Sequence, residues 1–244
     1  MNEIILYLTH TLKGNSYLIY EKLKNINIID PDKIKSLNLL YKQFKINWLT
    51  ILDKNYPIKL FELNYPPFVI FYQGNLDLLN HKNIIYIAGD NVDYNALNFD
   101  DLNSIKNDCV LITNNFKNSI EPKIIDYFNQ NNGKIIYIAK EGLDTFKINN
   151  FNPNNNLILS VYPLFTHPKK DYFKEMNLLI SCIADSLLVL NIKEQSSILS
   201  LSSYFQDFNK EIYYLCKTPE EHAINKLILN GARVISGFYN LISI

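Results

Sequence analysis

Three stretches of this sequence carry residue types that could do chemistry. The first is Ile87-Ala88-Gly89-Asp90-Asn91, an apolar run that ends in a glycine turn. A strand–helix turn cradles phosphate with backbone N–H groups, and so close an approach needs several glycines. Here Gly89 stands alone, at most the remnant of a phosphate turn, and Asp90, Asp93, Asp100, Asp101 and Asp108 follow it. Carboxylates at a helix N-terminus compete with phosphate for the same dipole and donors, so an ordinary capped turn is the plainer reading. The second stretch is Thr166–Lys174, where Lys169, Lys170 and Lys174 flank Tyr172 and Phe173. Basic residues among aromatics can follow a single nucleic-acid strand by charge and stacking. The same composition also makes a solvated loop with core-facing rings. The third, Thr218-Pro219-Glu220-Glu221, is a capping box with proline at the first helical position. It satisfies backbone donors internally and leaves fewer for a ligand.

Other chemistries find little support. His10, His81, His167 and His222 sit in unrelated segments, so no Ser-His-Asp or Cys-His arrangement emerges. Glu141, Asp144 and Asp171 fall near strand ends or loops, where carboxylates are common. Cys109, Cys182 and Cys216 are odd in number and far apart, which excludes a disulfide framework and zinc spacing. No catalytic residue, metal or cofactor is expected. The N-terminus lacks a basic n-region and cleavage site. The apolar stretch from Asn177 to Ile192 is broken by Ser181, Asp185 and Ser186. No membrane segment and a soluble, cytoplasmic protein are the expectations.

The elements that must position these residues follow from pattern. The 244 residues are 48% hydrophobic, enough for a real core, and 24 basic residues balance 24 acidic ones. There are 34 Asn, 34 Ile and 23 Lys but a single arginine, Arg233. That bias fits codon drift in an AT-rich genome, and such drift turns arginine into lysine. Residues 1–46 read as three short helices, the third opened by Asp30-Pro31. Residues 1–60 hold nine lysines against five acids. From residue 68, β-branched and aromatic runs alternate with amphipathic segments. The runs are Phe68–Tyr72, Ile84–Ala88, Cys109–Thr113, Lys134–Ala139, Leu157–Val161, Ser186–Asn191 and Glu211–Leu215. The helical segments are Ser119–Gln130, Tyr172–Ile183, Ser196–Phe208 and Glu220–Asn230. Near-continuous apolar strands separated by helices predict an α/β fold, with a mainly parallel sheet covered on both faces. Ligands then belong outside the strands' carboxyl ends.

Several segments in order resemble the DNA-processing protein A (DprA/Smf) family. They are Trp48-Leu49-Thr50-Ile51-Leu52-Asp53, Tyr56-Pro57, Tyr65-Pro66-Pro67-Phe68, Gly74-Asn75-Leu76, Gly142-Leu143-Asp144, Leu159-Ser160-Val161-Tyr162-Pro163 and Asn225 to Ala232. Their order and spacing hold over residues 48–234. The resemblance implies a small helical N-terminal domain, 1–46, and a Rossmann-like domain, 47–244. It also implies a non-enzymatic protein that binds single-stranded DNA and passes it to the RecA recombinase, as in natural transformation.

The departures fall where that family touches DNA. Its G-S-R turn is Gly89-Asp90-Asn91, and its R-N-R triplet is Met176-Asn177-Leu178. Its glycine-rich segment aligns with Thr113 to Ile120, where no glycine remains. Drift would have left lysines at the arginine positions, so relaxed selection or a changed ligand is the better account. Binding to single strands is therefore expected to be weak. The remaining candidates are Asn177, carried over from the triplet, and Lys147, Lys169, Lys170 and Lys174, which rest on position and charge. A homodimer stays possible. The rival reading is a decayed scaffold that works through protein contacts.

Overall fold

In a computed structural model of the chain, α1 (Asn2–Thr11), α2 (Ser16–Lys24) and α3 (Pro31–Gln43) fill the N-terminal region. The structure describes all residues except 26–28, 91–101, 104, 115–118, 194, 216–220 and 242–244, and the side chains of 221–223 and 239–240. The helix starts obey their local chemistry. The Asn15 side chain accepts the Leu18 N–H at 3.0 Å, and the Asp30 carboxylate accepts the Asp32 N–H at 3.0 Å ahead of Pro31. The expected capping box at Thr218-Pro219-Glu220 lies outside the described residues.

The chain divides into two units: Met1–Leu76 with Ile138–Phe173, and Asp77–Tyr137 with Lys174–Ile244. The first holds the three helices and an antiparallel trio, β1 (Asn47–Thr50), β2 (Val69–Gly74) and β6 (Asn156–Ser160). β2 is the middle strand, pairing Trp48 with Phe71 on one side and Phe71 with Ser160 on the other. The Tyr41 ring of α3 stacks on Phe71 at 5.2 Å between centroids, which seats the helices on this sheet. Its hydroxyl accepts the Leu164 N–H at 3.4 Å and meets His10 Nδ1 at 3.2 Å.

The second unit is built on parallel strands: β3 (Ile84–Ala88), β4 (Val110–Thr113), β5 (Lys134–Ala139), β7 (Ser186–Val189), β8 (Glu211–Leu215) and β9 (Arg233–Ile235). The order is β5-β4-β3-β7-β8-β9, every pair parallel. Counted from β3, that is the 3-2-1-4-5-6 order of a dinucleotide-type Rossmann sheet. α4 (Glu121–Gln130) links β4 to β5, α6 (Ile198–Asp207) links β7 to β8, and α7 (Glu221–Leu229) links β8 to β9. α5 (Tyr172–Ile183) precedes β7. Right-handed crossovers running in opposite directions from β3 and β7 place α4 on one face and α6 and α7 on the other. Both faces are thus covered, and β3, β4 and β7 are buried at every residue.

The expected strands are present, three with the expected bounds and the others with ends moved by one or two residues. β7 stops at Val189 rather than Asn191 because the chain turns there, although the Leu190 N–H still reaches the Ala88 carbonyl at 2.9 Å. β9, three residues long with two of them exposed, has no run that pattern could detect.

Candidate functional site

In the second unit the strand order reverses between β3 and β7, so the crevice outside their carboxyl ends is where such a fold receives a ligand. Gly89 leaves β3 at this point. A Cβ there would stand 3.2 Å from Ile120 Cγ2 and 3.6 Å from Leu190 Cβ, so glycine serves close packing. Asp90 then does what a phosphate would do. Its carboxylate accepts the Lys193 N–H at 2.7 Å through Oδ2 and the Ser196 hydroxyl at 3.0 Å through Oδ1. Its own N–H donates to the Asn191 carbonyl at 3.2 Å. Donors that could meet an anion are held by the chain's own carboxylate. Asn91, Asp93, Asp100 and Asp101 lie outside the described residues.

Beside this turn, at the ends of β3 and β4, Glu121 is buried at the start of α4. Tyr86 Oη donates to its Oε1 at 2.8 Å, Thr113 Oγ1 donates to its Oε2, and the Glu121 N–H donates to Ser119 Oγ at 3.2 Å. Burial, reinforced by the Glu121 charge, pushes the Tyr86 phenol well above its ordinary value. The group is a hydrogen-bonded post that fixes where α4 begins. Nothing in the sequence marked Glu121, because the three strands and turns that enclose it meet only in the fold. The loop ahead of it, 115–118, lies outside the described residues.

On α5, Met176 is 2% exposed and belongs to the core. Asn177 is half-buried, and Lys174 is exposed three residues before it, on the same side of the helix. An arginine at position 176 would be turned inward, so the lost triplet is a lost geometry as well as a lost charge.

In the first unit the segments Gly142-Leu143-Asp144 and Leu159-to-Pro163 are bound to one another. The Gly142 N–H donates to the Thr166 carbonyl at 2.9 Å, and the Phe165 N–H donates to Asp144 Oδ1 at 2.9 Å. A Cβ on Gly142 would lie 2.6 Å from the Pro163 carbonyl oxygen, which requires glycine. The Ser160 hydroxyl donates to the Glu141 carbonyl at 2.7 Å and accepts the Tyr162 N–H at 3.0 Å. Onto this frame the Tyr162 and Tyr172 rings stack at 4.1 Å. Lys169 Nζ lies 5.8 Å from the centre of Tyr172, and Lys140 Nζ lies 4.8 Å from the centre of Phe173. Lys147, Lys169 and Lys170 are exposed. Of the candidate residues, then, Lys169 lies near the Tyr172 ring with the exposed Lys170 next to it in sequence, Lys147 sits on the loop after Asp144, and Lys174, Asn177 and Gly89 belong to the other unit. Lys140 was missed by the sequence reading; its place directly after β5 was the available signal.

No group of three or more His, Cys, Asp or Glu side chains that could hold a metal occurs among the described residues. Burial pushes the Cys109 thiol up to about 12, so it is no nucleophile. Among the described residues no helix is long and apolar enough to cross a membrane.

Comparison with known proteins gives a consistent result. The model of a family described as DNA recombination-mediator protein A matches residues 145–243. Protein Smf of Synechocystis sp. is 27% identical over 214 residues, covering 80% of this chain and 53% of that protein. The chain therefore spans about half the length of that relative. DNA processing protein DprA of Streptococcus pneumoniae is 26% identical over 209 residues, covering 81% of this chain and 74% of that one. The X-ray structure of the Streptococcus pneumoniae DprA matches with a TM-score of 0.71 at 21% identity, over 99% of this chain and 96% of that one. A DprA structure from Helicobacter pylori, described for its unique single-stranded DNA binding mode, matches with 0.64 at 22% identity, over 82% and 94%. These two structures carry the same fold.

Proposed function

Because the chain belongs to the DNA-processing protein A (DprA/Smf) family, we propose that it is a non-enzymatic recombination mediator that binds single-stranded DNA weakly. In this reading it works in the cytoplasm and passes the strand to the RecA recombinase. No covalent bond is made or broken. Lysines neutralise phosphates, and aromatic faces take bases. Residues 1–46 serve as a helical appendage to a DNA-binding domain, 47–244. The observation that carries the reading is the cationic and aromatic run from Lys140 to Phe173, with its stacked tyrosines and two ammonium–ring contacts. Lys147, Lys169, Lys170 and Lys174 are the phosphate contacts and Asn177 a polar one. Lysine offers a point charge without the fork of arginine, so it holds phosphate but orients it poorly.

The test is fluorescence anisotropy of a labelled oligothymidylate at low and moderate salt. Replacing Lys169, Lys170 and Lys174 together by alanine removes most of the binding while circular dichroism stays unchanged. A triple variant that binds like the parent rules these lysines out.

Two observations favour a second reading. Asp90 holds the donors of the turn, and Met176 is buried where an arginine would be needed. A scaffold that has lost its DNA site and acts through protein contacts would look like this. It takes precedence if the parent binds no oligonucleotide at any salt. Either form is open to self-association, since α7 exposes Leu229 and Ile228 and the edge strand β9 exposes Val234.

A further inference from the structure

α3 has two apolar faces, and only one is used inside the first unit. Leu37 and Tyr41 are buried. A second stripe, Ile34, Asn38 and Leu39 with Lys35 and Lys42, lines a groove of about 420 Å³ that Glu3 of α1 borders. Leu39 is 58% exposed in it. Lys35 and Lys42 are exposed and stand two helical turns apart, about 10.5 Å along the axis. Neither has an ion-pair partner among the described residues. Glu3, the acid on the rim, accepts the Asn38 amide at 2.8 Å. The surrounding region carries nine lysines against five acids over residues 1–60.

We propose that this groove docks an acidic amphipathic helix of a partner protein. Apolar side chains of the partner cover Ile34 and Leu39, and carboxylates seven residues apart on its sequence meet Lys35 and Lys42. Charge decides the occupant. A second copy of this stripe would bring lysine against lysine. A nucleic acid would find no aromatic ring lining the groove for its bases. The proposal is independent of the DNA reading, since none of these residues is among the DNA candidates.

The experiment uses the full chain and a short synthetic peptide, fluorescein-labelled, with leucines at i, i+3 and i+4 and glutamates at i+1 and i+8. A scrambled peptide of the same composition is the control. The patterned peptide is expected to bind about tenfold more tightly than the scrambled one. Lys35→Glu with Lys42→Glu should lose that preference, and Leu39→Gln alone should weaken it, each with an unchanged helical signal. Equal binding of the two peptides overturns the proposal, as does undiminished binding by the charge-reversed variant. An oligothymidylate that displaces the patterned peptide overturns the assigned occupant. So does a dimer that forms in the parent and disappears in the Lys35→Glu, Lys42→Glu variant.

Discussion

Asp90 sets the electrostatics of the Gly89 turn. Its carboxylate takes the Lys193 N–H and the Ser196 hydroxyl, so the turn offers an incoming phosphate negative charge in place of free donors. Asp90→Ser removes the charge and frees the Lys193 N–H. It should raise affinity for oligothymidylate by about three- to tenfold and cost about 1 kcal/mol of stability; anisotropy and urea unfolding check the two halves. Affinity that falls would mean that Asp90 supports the site. His10 gives a pH signature in the other unit. Burial lowers its pKa from 6.5, opposed in part by the Asp144 charge. The folded protein therefore binds fewer protons here than the unfolded chain does. The stabilisation is complete above pH 6.5 and is lost as pH falls through the lowered folded value. The urea midpoint should drop from pH 7.5 to 5.5, and the drop should shrink in His10→Gln. The exposure of the candidate lysines could be read from the sequence because charge and exposure go together. The role of Asp90 could not, because its partners lie 103 and 106 residues away.

The elements were more legible than the site they form. Ile84–Ala88 and Lys134–Ala139 appear with the bounds their apolar runs predict, since a strand covered on both faces admits little else. The pattern could not supply β9, whose three residues have two exposed, nor the antiparallel pairing of β2 with β6 across the stretch from residue 75 to 155. β9 also ends the parallel sheet, paired only with β8 among the described strands. Its Arg233 lies 3.3 Å from Glu211, an exposed pair worth about 0–1 kcal/mol. Next to it in sequence, α7 ends on Leu229, which is 79% exposed. An open edge beside exposed leucine favours association. Light scattering should show a concentration-dependent dimer that Leu229→Glu reduces to monomer while oligothymidylate binding by each protomer persists. A monomeric parent at all concentrations removes the self-association reading.

At the scale of the molecule, charge balance limits what the proposed DNA site can achieve. Residues 61–244 hold 15 basic residues against 19 acidic ones, so the lysines of the proposed site act against an unfavourable background. Three arginine positions of the family pattern are now Asn91, Met176 and Leu178. With a slope of about −0.7 per phosphate for single strands, their loss should make the log–log salt dependence shallower by roughly two units than in a relative that keeps them. Titration from 50 mM salt upward, side by side with such a relative, measures it; equal slopes would show that other cations have replaced the arginines. The likeness to that family was legible from collinear segments, because each is held by local geometry: the cramped Gly142, the Ser160 hydroxyl and the Gly74 turn.

The pairing of β2 with β6 bears on how the chain is made. β2 leaves the ribosome long before β6 exists, and its residues 71–74 have no partner strand on that side until residues 157–160 are synthesised. At ordinary translation rates the interval is on the order of ten seconds. During it, that edge of β2 presents unpaired N–H and C=O groups to any other strand, next to the apolar Val69, Ile70 and Phe71. Synthesis of this protein therefore depends on something, whether a chaperone or the early α1–α3 helices, holding that segment until its second neighbour arrives.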